Sequence, residues 1–201
     1  MGARRLFCAL MVGPELGAQL ARATSAALGL PLGGHGETRA RGFAAVAPAD
    51  LHVTLAFAGE LDPAAAERLQ AALARELSGA PGPRLTIAGT DAFPRRGWER
   101  VLVARVLEPE GQHLEELAAR AARVAVGEGI ELPDAGRPFA PHVTLARVRE
   151  GRRGRRPEVP ERFYRLDFGL GWQPSAAAWV ESPGGGAPYR VLAELPLVPR
   201  W

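Results

Sequence analysis

The 201-residue chain has no lysine; all 25 of its basic residues are arginine. This removes every chemistry that needs an amine, so a P-loop lysine, a Schiff base and a lysyl-nucleotide intermediate are excluded. Cysteine is nearly absent as well. The single Cys8 cannot form an internal disulfide and sits in an apolar run, a usage that points to a reducing cytoplasm. Long hydrophobic runs are missing. The stretch Leu6 to Val12 behind Arg4-Arg5 is too short to cross a membrane, and Gly13-Pro14-Glu15 opens a helix directly after it, so it reads as a first strand rather than a signal peptide. Leu6 stands where N-myristoylation requires Ser or Thr. No CxxC, HxH or HExxH spacing occurs, so neither a metal nor another cofactor is expected.

Histidine is scarce too, with four in the chain, yet two of them head the same tetrapeptide: His52-Val53-Thr54-Leu55 and His142-Val143-Thr144-Leu145. Thr occurs six times, so the chance that a second His is followed by Val-Thr-Leu is on the order of 1 in 1,000. In a strand, successive side chains alternate faces; His52 and Thr54 project together while Val53 and Leu55 point into a core, and the second copy does the same. Two imidazoles with hydroxyl partners suit metal-free acid-base catalysis on a phosphodiester. One histidine gives a proton, the other removes one from water on the opposite side, and each Thr orients a phosphate oxygen.

With 47% hydrophobic residues and no linker-like stretch, residues 1–201 read as one domain with an internal duplication. Arg5 to Val12 is a buried strand, followed by a helix to about Leu28 with Leu16, Leu20 and Ala23 at helical spacing. Leu51 to Phe57 is the first motif strand, ended by Gly59. Asp62-Pro63 caps a helix bearing Leu69, Leu73 and Leu77. Arg84 to Ala88 and Val101 to Leu107 form a strand pair joined by a loop containing Pro94, Gly97 and Trp98. Leu114, Leu117, Ala121 and Val124 mark another helix, and His142 to Val148 is the second motif strand. Ala176 to Glu181 and Tyr189 to Leu195 are strands separated by a turn at Gly184-Gly185-Gly186. This order predicts two similar α+β lobes meeting along the motif strands, with the site in the cleft between them.

These residues resemble the two-histidine (2H) phosphoesterase superfamily, specifically the bacterial and archaeal RNA 2',3'-cyclic phosphodiesterases once called 2'-5' RNA ligases. The likeness rests on the two copies of the His-x-Thr-x motif. It extends to Arg5-Leu6-Phe7, to Leu51 through Phe57 with Gly59, and to Pro138-Phe139-Ala140-Pro141 running into His142 through Arg147, which spans nearly the whole chain. The resemblance implies an α+β, bilobal, pseudo-twofold fold of two antiparallel-rich sheets flanked by helices around a central cleft. It implies metal-independent hydrolysis of RNA 2',3'-cyclic phosphodiester ends to 2'-phosphomonoesters, with weak ATP-independent 2'-5' ligation as the reverse reaction. His52 would be the proton donor, His142 the proton acceptor, and Thr54 and Thr144 the phosphate holders. Arg147 completes the second motif as a substrate contact, although strict alternation puts it on the Val143 and Leu145 face, so it needs a bulge or a strand end. Where family members often carry Arg-Trp-Val upstream of the first motif, this chain has Arg41-Gly42-Phe43 and then Ala44-Ala45-Val46.

The partners expected are RNA ends or nucleoside cyclic phosphates, with no membrane and no obligate protein partner. Two alternatives stand beside this: a small substrate such as ADP-ribose cyclic phosphate, and a phosphate-binding module without turnover. Keeping both His and both Thr favours the enzyme, since arginine would serve simple anion binding. His35, in a Gly-rich loop, and His113, near a helix start, read as solvent-exposed bystanders. The run Arg149 to Arg156 holds five arginines directly after the second motif strand and reads either as a solvated loop or as a lure for an RNA backbone. Trp98, Trp172, Trp179 and Trp201 could stack bases, but scattered single tryptophans read first as core or lobe-interface residues.

Overall fold

Val53 and Val143 stand directly opposite each other in an antiparallel strand pair, and the architecture is laid out on either side of them. The computed structural model describes residues 2–31, 38–149 and 156–199. In chain order the elements are β1 (Arg4–Met11), α1 (Pro14–Leu28), β2 (Thr38–Ala40), β3 (Phe43–Ala45), a 3₁₀ turn (Pro48–Asp50), β4 (His52–Leu61), α2 (Pro63–Leu77), β5 (Leu85–Phe93), β6 (Val101–Leu107), α3 (His113–Gly127), β7 (His142–Val148), α4 (Glu161–Tyr164), β8 (Leu170–Trp172), β9 (Ala176–Glu181) and β10 (Arg190–Pro196). The strand order is β10-β9-β1-β4-β7-β6-β5-β8, and every neighbouring pair is antiparallel. Four strands lie on each side of the Val53/Val143 pair. These are the two lobes expected from sequence, and that one pair joins their sheets into a continuous curled one.

The halves are not consecutive in the chain. β9 and β10 return to the side of β1 and β4, so the last strands complete the first half. The helices cross as well: α1 follows β1 but packs on β7 and β3, while α3 follows β6 and packs on β4. Alternation turns Leu6, Cys8, Leu10, Val53 and Val143 to the helix-covered face, where they join Leu20, Leu28, Leu69, Leu73, Leu114 and Leu117 in one core spanning both halves. Full burial of each such aliphatic side chain contributes about 1.5–3 kcal/mol. Burial also pushes the Cys8 thiol up to about 12, so it stays protonated and unreactive.

Local chemistry sets the helix ends. Asp62 caps α2, its Oδ1 accepting from the Ala65 amide at 2.9 Å, with Pro63 in the first turn. α1 ends where Gly29 turns left-handed (φ 65°) and the Leu30 amide donates back to the Ser25 carbonyl at 2.8 Å.

Two expectations are corrected. Gly59 does not end the first motif strand, which runs on to Leu61. Its φ of 77° falls where the ladder jumps from Phe57–Phe7 to Gly59–Leu6, so it accommodates an irregularity inside the strand. The short β2, β3, β8 and α4 were not foreseen, because three or four residues carry no readable period. β3 matters to the site: it pairs with β7 from Ala146 to Val148, where β4 has veered away. Among the described residues no helix is long and apolar enough to cross a membrane.

α1 presses on the Pro48–Asp50 turn at Gly17, where a Cβ would collide with the Pro48 carbonyl oxygen. In an open helix interior Gly→Ala gains about 1 kcal/mol. Here the collision is with backbone and outweighs that gain. Gly17→Ala is expected to lower stability by about 1–3 kcal/mol, read as a lower urea midpoint with an unchanged slope; a midpoint at or above wild type would contradict the contact.

Candidate active site

Val53–Val143 is the one paired position between β4 and β7 among the described residues, and the motif side chains flank it, His52 and Thr54 on β4 and His142 and Thr144 on β7. The four side chains the repeats supply are therefore brought into one patch on the face away from the helices, with the histidines on a diagonal. A local twofold relation runs through the valine pair.

Each imidazole is held in the same way. His52 Nδ1–H donates to the Asp50 carbonyl at 2.6 Å, and His142 Nδ1–H donates to the Ala140 carbonyl at 2.7 Å, in both cases the residue two positions earlier. A carbonyl can only accept, so the hydrogen bond places the proton on Nδ1 and leaves Nε2 for exchange.

The surroundings of the two rings differ. His52 is half-buried between Phe7, at 4.8 Å between centroids, and Tyr189, at 5.5 Å. His142 meets Phe93 edge-on at 4.9 Å. Burial drives the His52 pKa down to about 4; the Asp50 carbonyl opposes this, while the charges of Arg147 and His142 add to it. In the free protein His52 is thus neutral at pH 7.

Arg147 reaches the cleft through the bulge that alternation required. In β7 the register passes from Thr144 opposite Val103 to Ala146 opposite Leu102, which leaves Leu145 as an extra residue. Leu145 and Ala146 both enter the core, and Arg147 is returned to the cleft face. β4 has the same bulge at Leu55, between Thr54–Ala9 and Ala56–Cys8. There the residue returned is Phe57, which packs with Phe7. Arg147 lines a cleft of about 290 Å³ with Arg5, Arg149, Asp50, Tyr189 and the Gly184–Gly186 turn.

Asp50, Tyr189, Phe7 and Phe93 are the site residues that sequence reading missed. Asp50 has two attachments: its carbonyl holds His52, and its Oδ1 accepts the Tyr189 amide at 3.0 Å, which ties the β9–β10 hairpin across the cleft. Its carboxyl pKa is raised by burial, against the opposing effect of that amide. The only sequence signal was its place two residues before a motif histidine. Phe7 and Tyr189 come from distant strands and left none.

Other candidates fall elsewhere. His113 is not an exposed bystander; its Nδ1 lies 3.0 Å from Glu108 Oε1, and Glu108 also accepts the amides of His113 and Leu114 to cap α3. His35, the loop 150–155 and Trp201 lie outside the described residues. Trp179 is buried and Trp98 is 59% exposed, contrary to the core reading of the latter. Among the described residues no three His, Cys, Asp or Glu side chains gather as a metal site.

Known proteins are similar to this chain in sequence and fold. A curated RNA 2',3'-cyclic phosphodiesterase of Thermus thermophilus is 35% identical over 164 residues, covering 78% of this chain and 77% of that protein. One of Aquifex aeolicus, with the same name, is 32% identical over 125 residues, covering 62% and 65%. The crystal structure of TT0787 of T. thermophilus superposes with a TM-score of 0.72 at 30% identity, covering 96% of this chain and 97% of that one. Escherichia coli LigT complexed with 3'-AMP shares the fold at a TM-score of 0.69 and 24% identity, covering 97% and 98%. The sequence model of the 2'-5' RNA ligase superfamily matches residues 18–185, and the chain belongs to that superfamily.

Proposed function

We propose that the protein hydrolyses 2',3'-cyclic phosphodiester ends of RNA to 2'-phosphomonoesters by two-histidine acid-base catalysis. The observation that carries this reading is the placement of two imidazoles, each with Nδ1 bound to a carbonyl and Nε2 left for proton exchange, on two strands paired at Val53–Val143, each strand also bearing its motif threonine. His142 Nε2 takes a proton from water as the water oxygen attacks phosphorus. The P–O3' bond breaks on the far side, and O3' takes the proton of His52 Nε2–H. The Thr54 and Thr144 hydroxyls donate to the non-bridging oxygens, and Arg147 balances their charge. The relatives named RNA 2',3'-cyclic phosphodiesterase support the substrate class. Any joining is the ATP-independent reversal, forming a 2'-5' linkage.

An acid must be protonated, and His52 is neutral in the free cleft. Substrate resolves this electrostatically: a phosphodiester anion seated on Arg147 offsets one of the charges that depress His52 and itself favours the imidazolium. The depressed pKa by itself favours the opposite assignment, with His52 as base and His142 as acid. The product isomer reports which ester oxygen leaves and so fixes the placement of the ribose between the two histidines.

His52→Ala and His142→Ala are each expected to lower turnover of a nucleoside 2',3'-cyclic phosphate by about 100-fold or more, with smaller losses for the Thr54→Ala and Thr144→Ala variants. Near-parental activity in a folded His variant would end the mechanism. Digesting an RNA with a cyclic end and resolving the isomers by phosphorus NMR should give the 2'-phosphate; a predominantly 3'-phosphate product would reverse the placement of the ribose, and a mixture would mean that the cleft does not fix the sugar.

Proton transfer and hydrogen bonding do the work a Lewis acid would otherwise supply, so exhaustive chelation is expected to leave the rate unchanged. Loss on chelation with rescue by zinc or manganese would refute this.

His52 should titrate near pH 4 in an NMR pH series of the free protein and move upward when inorganic phosphate is bound. Because the folded state binds this proton more weakly than the unfolded chain, the His52 contribution to stability is complete above pH 6.5 and is lost as pH falls from 6.5 toward 4. Its size is on the order of 2–3 kcal/mol. His52→Gln should flatten the stability profile across that window, and an unchanged slope would contradict the burial.

A further inference from the structure

The hairpin joining β5 to β6 carries Phe93 and Trp98, 38% and 59% exposed, the two exposed aromatics among the described residues. Phe93 touches His142, with ring centroids 4.9 Å apart. Trp98 follows five residues later, within about 17 Å of extended chain. An exposed tryptophan beside a catalytic cleft gains nothing for folding, and a loop that merely drifted would not be secured as this one is.

Its base is closed by the Arg100 amide donating to the Phe93 carbonyl at 2.7 Å, and its tip by the Trp98 amide donating to the Arg95 carbonyl at 3.1 Å. Glu99 Oε1 accepts the Gly97 amide at 2.7 Å and the Tyr164 hydroxyl at 2.6 Å. The Arg96 guanidinium lies 4.0 Å over the Tyr164 ring. Arg156 Nη1 donates to the Trp98 carbonyl at 3.4 Å. The indole is thus presented on a preorganised support. Its neighbours are cationic: Arg95 lies 6.0 Å over the indole, and Arg156 comes from the far end of the arginine-rich segment. The one carboxylate of the tip, Glu99, is engaged by Tyr164 and Gly97.

An open aromatic face among arginines, leading away from a phosphodiester site, matches one ligand chemistry: a polyanion with flat bases not already stacked in a duplex. We propose that this hairpin is a docking platform for the single-stranded RNA immediately 5' of the cyclic phosphate, with Trp98 stacking a base and Arg95 and Arg156 meeting the backbone. The inference rests on the phosphodiesterase reading. It adds that the substrate is an RNA strand rather than a mononucleotide, and that affinity for the strand is set away from the histidines.

The experiment compares a nucleoside 2',3'-cyclic phosphate with a single-stranded pentanucleotide bearing the same end. In Trp98→Ala the KM for the pentanucleotide should rise about 5- to 100-fold, the range for one base–aromatic stack, with kcat and the mononucleotide kinetics unchanged. Trp98→Phe should restore most of the loss, and Arg95→Ala should weaken binding in a salt-dependent way. An unchanged pentanucleotide KM in Trp98→Ala, or an equal loss for the mononucleotide, would overturn the platform. A second arm needs no turnover. Binding of a fluorescent pentanucleotide ending in a 3'-phosphate should weaken in Trp98→Ala, while a blunt duplex of the same sequence is unaffected; equal effects on both would overturn the single-strand claim. If the wild type cleaves neither substrate yet this binding difference holds, the catalytic reading fails and the platform stands.

Discussion

The constraint on which the rest depends is the pairing of Val53 with Val143, both fully buried beneath the helices. A strand has a side-chain period of two, so slipping this pair by one residue would set a valine against a motif histidine or threonine and end the matched placement of the two motifs about the valine pair. What resists the slip is apolar burial rather than hydrogen bonding. Leu55, Ala56, Leu145 and Ala146 all lie in the core behind the same two strands, and α1 and α3 each cross from one half to cover the motif strand of the other. The face that carries the motif histidines and threonines is thereby positioned by the opposite, apolar face of the same strands.

From this twofold start the two sites diverge through their neighbours. The matching bulges at Leu55 and Leu145 return the fifth residue after each motif histidine to the cleft face, and that residue is Phe57 in one copy and Arg147 in the other. Phe7 and Tyr189 enclose His52, whereas His142 has Phe93 at its edge. Burial and the nearby Arg147 then hold His52 neutral. The acid-base mechanism we propose needs one proton donor and one acceptor, and a perfectly symmetric pair would leave the two roles unassigned.

Hairpins on both sides of the pair complete the cleft, and each is tied down. The β9–β10 hairpin is fixed through Tyr189 to Asp50, the residue whose carbonyl also orients His52. At its base the buried Glu181 carboxylate is bracketed by Arg4 at 2.9 Å and Arg190 at 2.6 Å, and its pKa is held low by the hydrogen bond from Arg4. The β5–β6 hairpin is secured through Glu99 and Tyr164 and presents Phe93 and Trp98. The first contributes its glycine-rich turn to the arginine-lined cleft, and the second sets Phe93 against His142.

Much of this was legible in the chain itself. Alternation in His-Val-Thr-Leu, the Asp62-Pro63 cap and the leucines of α2 and α3 are local signals, because strand faces, caps and helix stripes depend on neighbours within a few residues. They determined the long elements, the two-lobed order, and the grouping of each His with its Thr. Pairing partners and bulges depend on residues far apart in sequence, so only the tertiary structure decided them. It placed the two repeats in register at Val53/Val143, turned Arg147 into the cleft, and closed Phe7 and Tyr189 over His52. The same limit explains Trp98, whose exposure is a property of the hairpin that holds it out and not of the residues on either side.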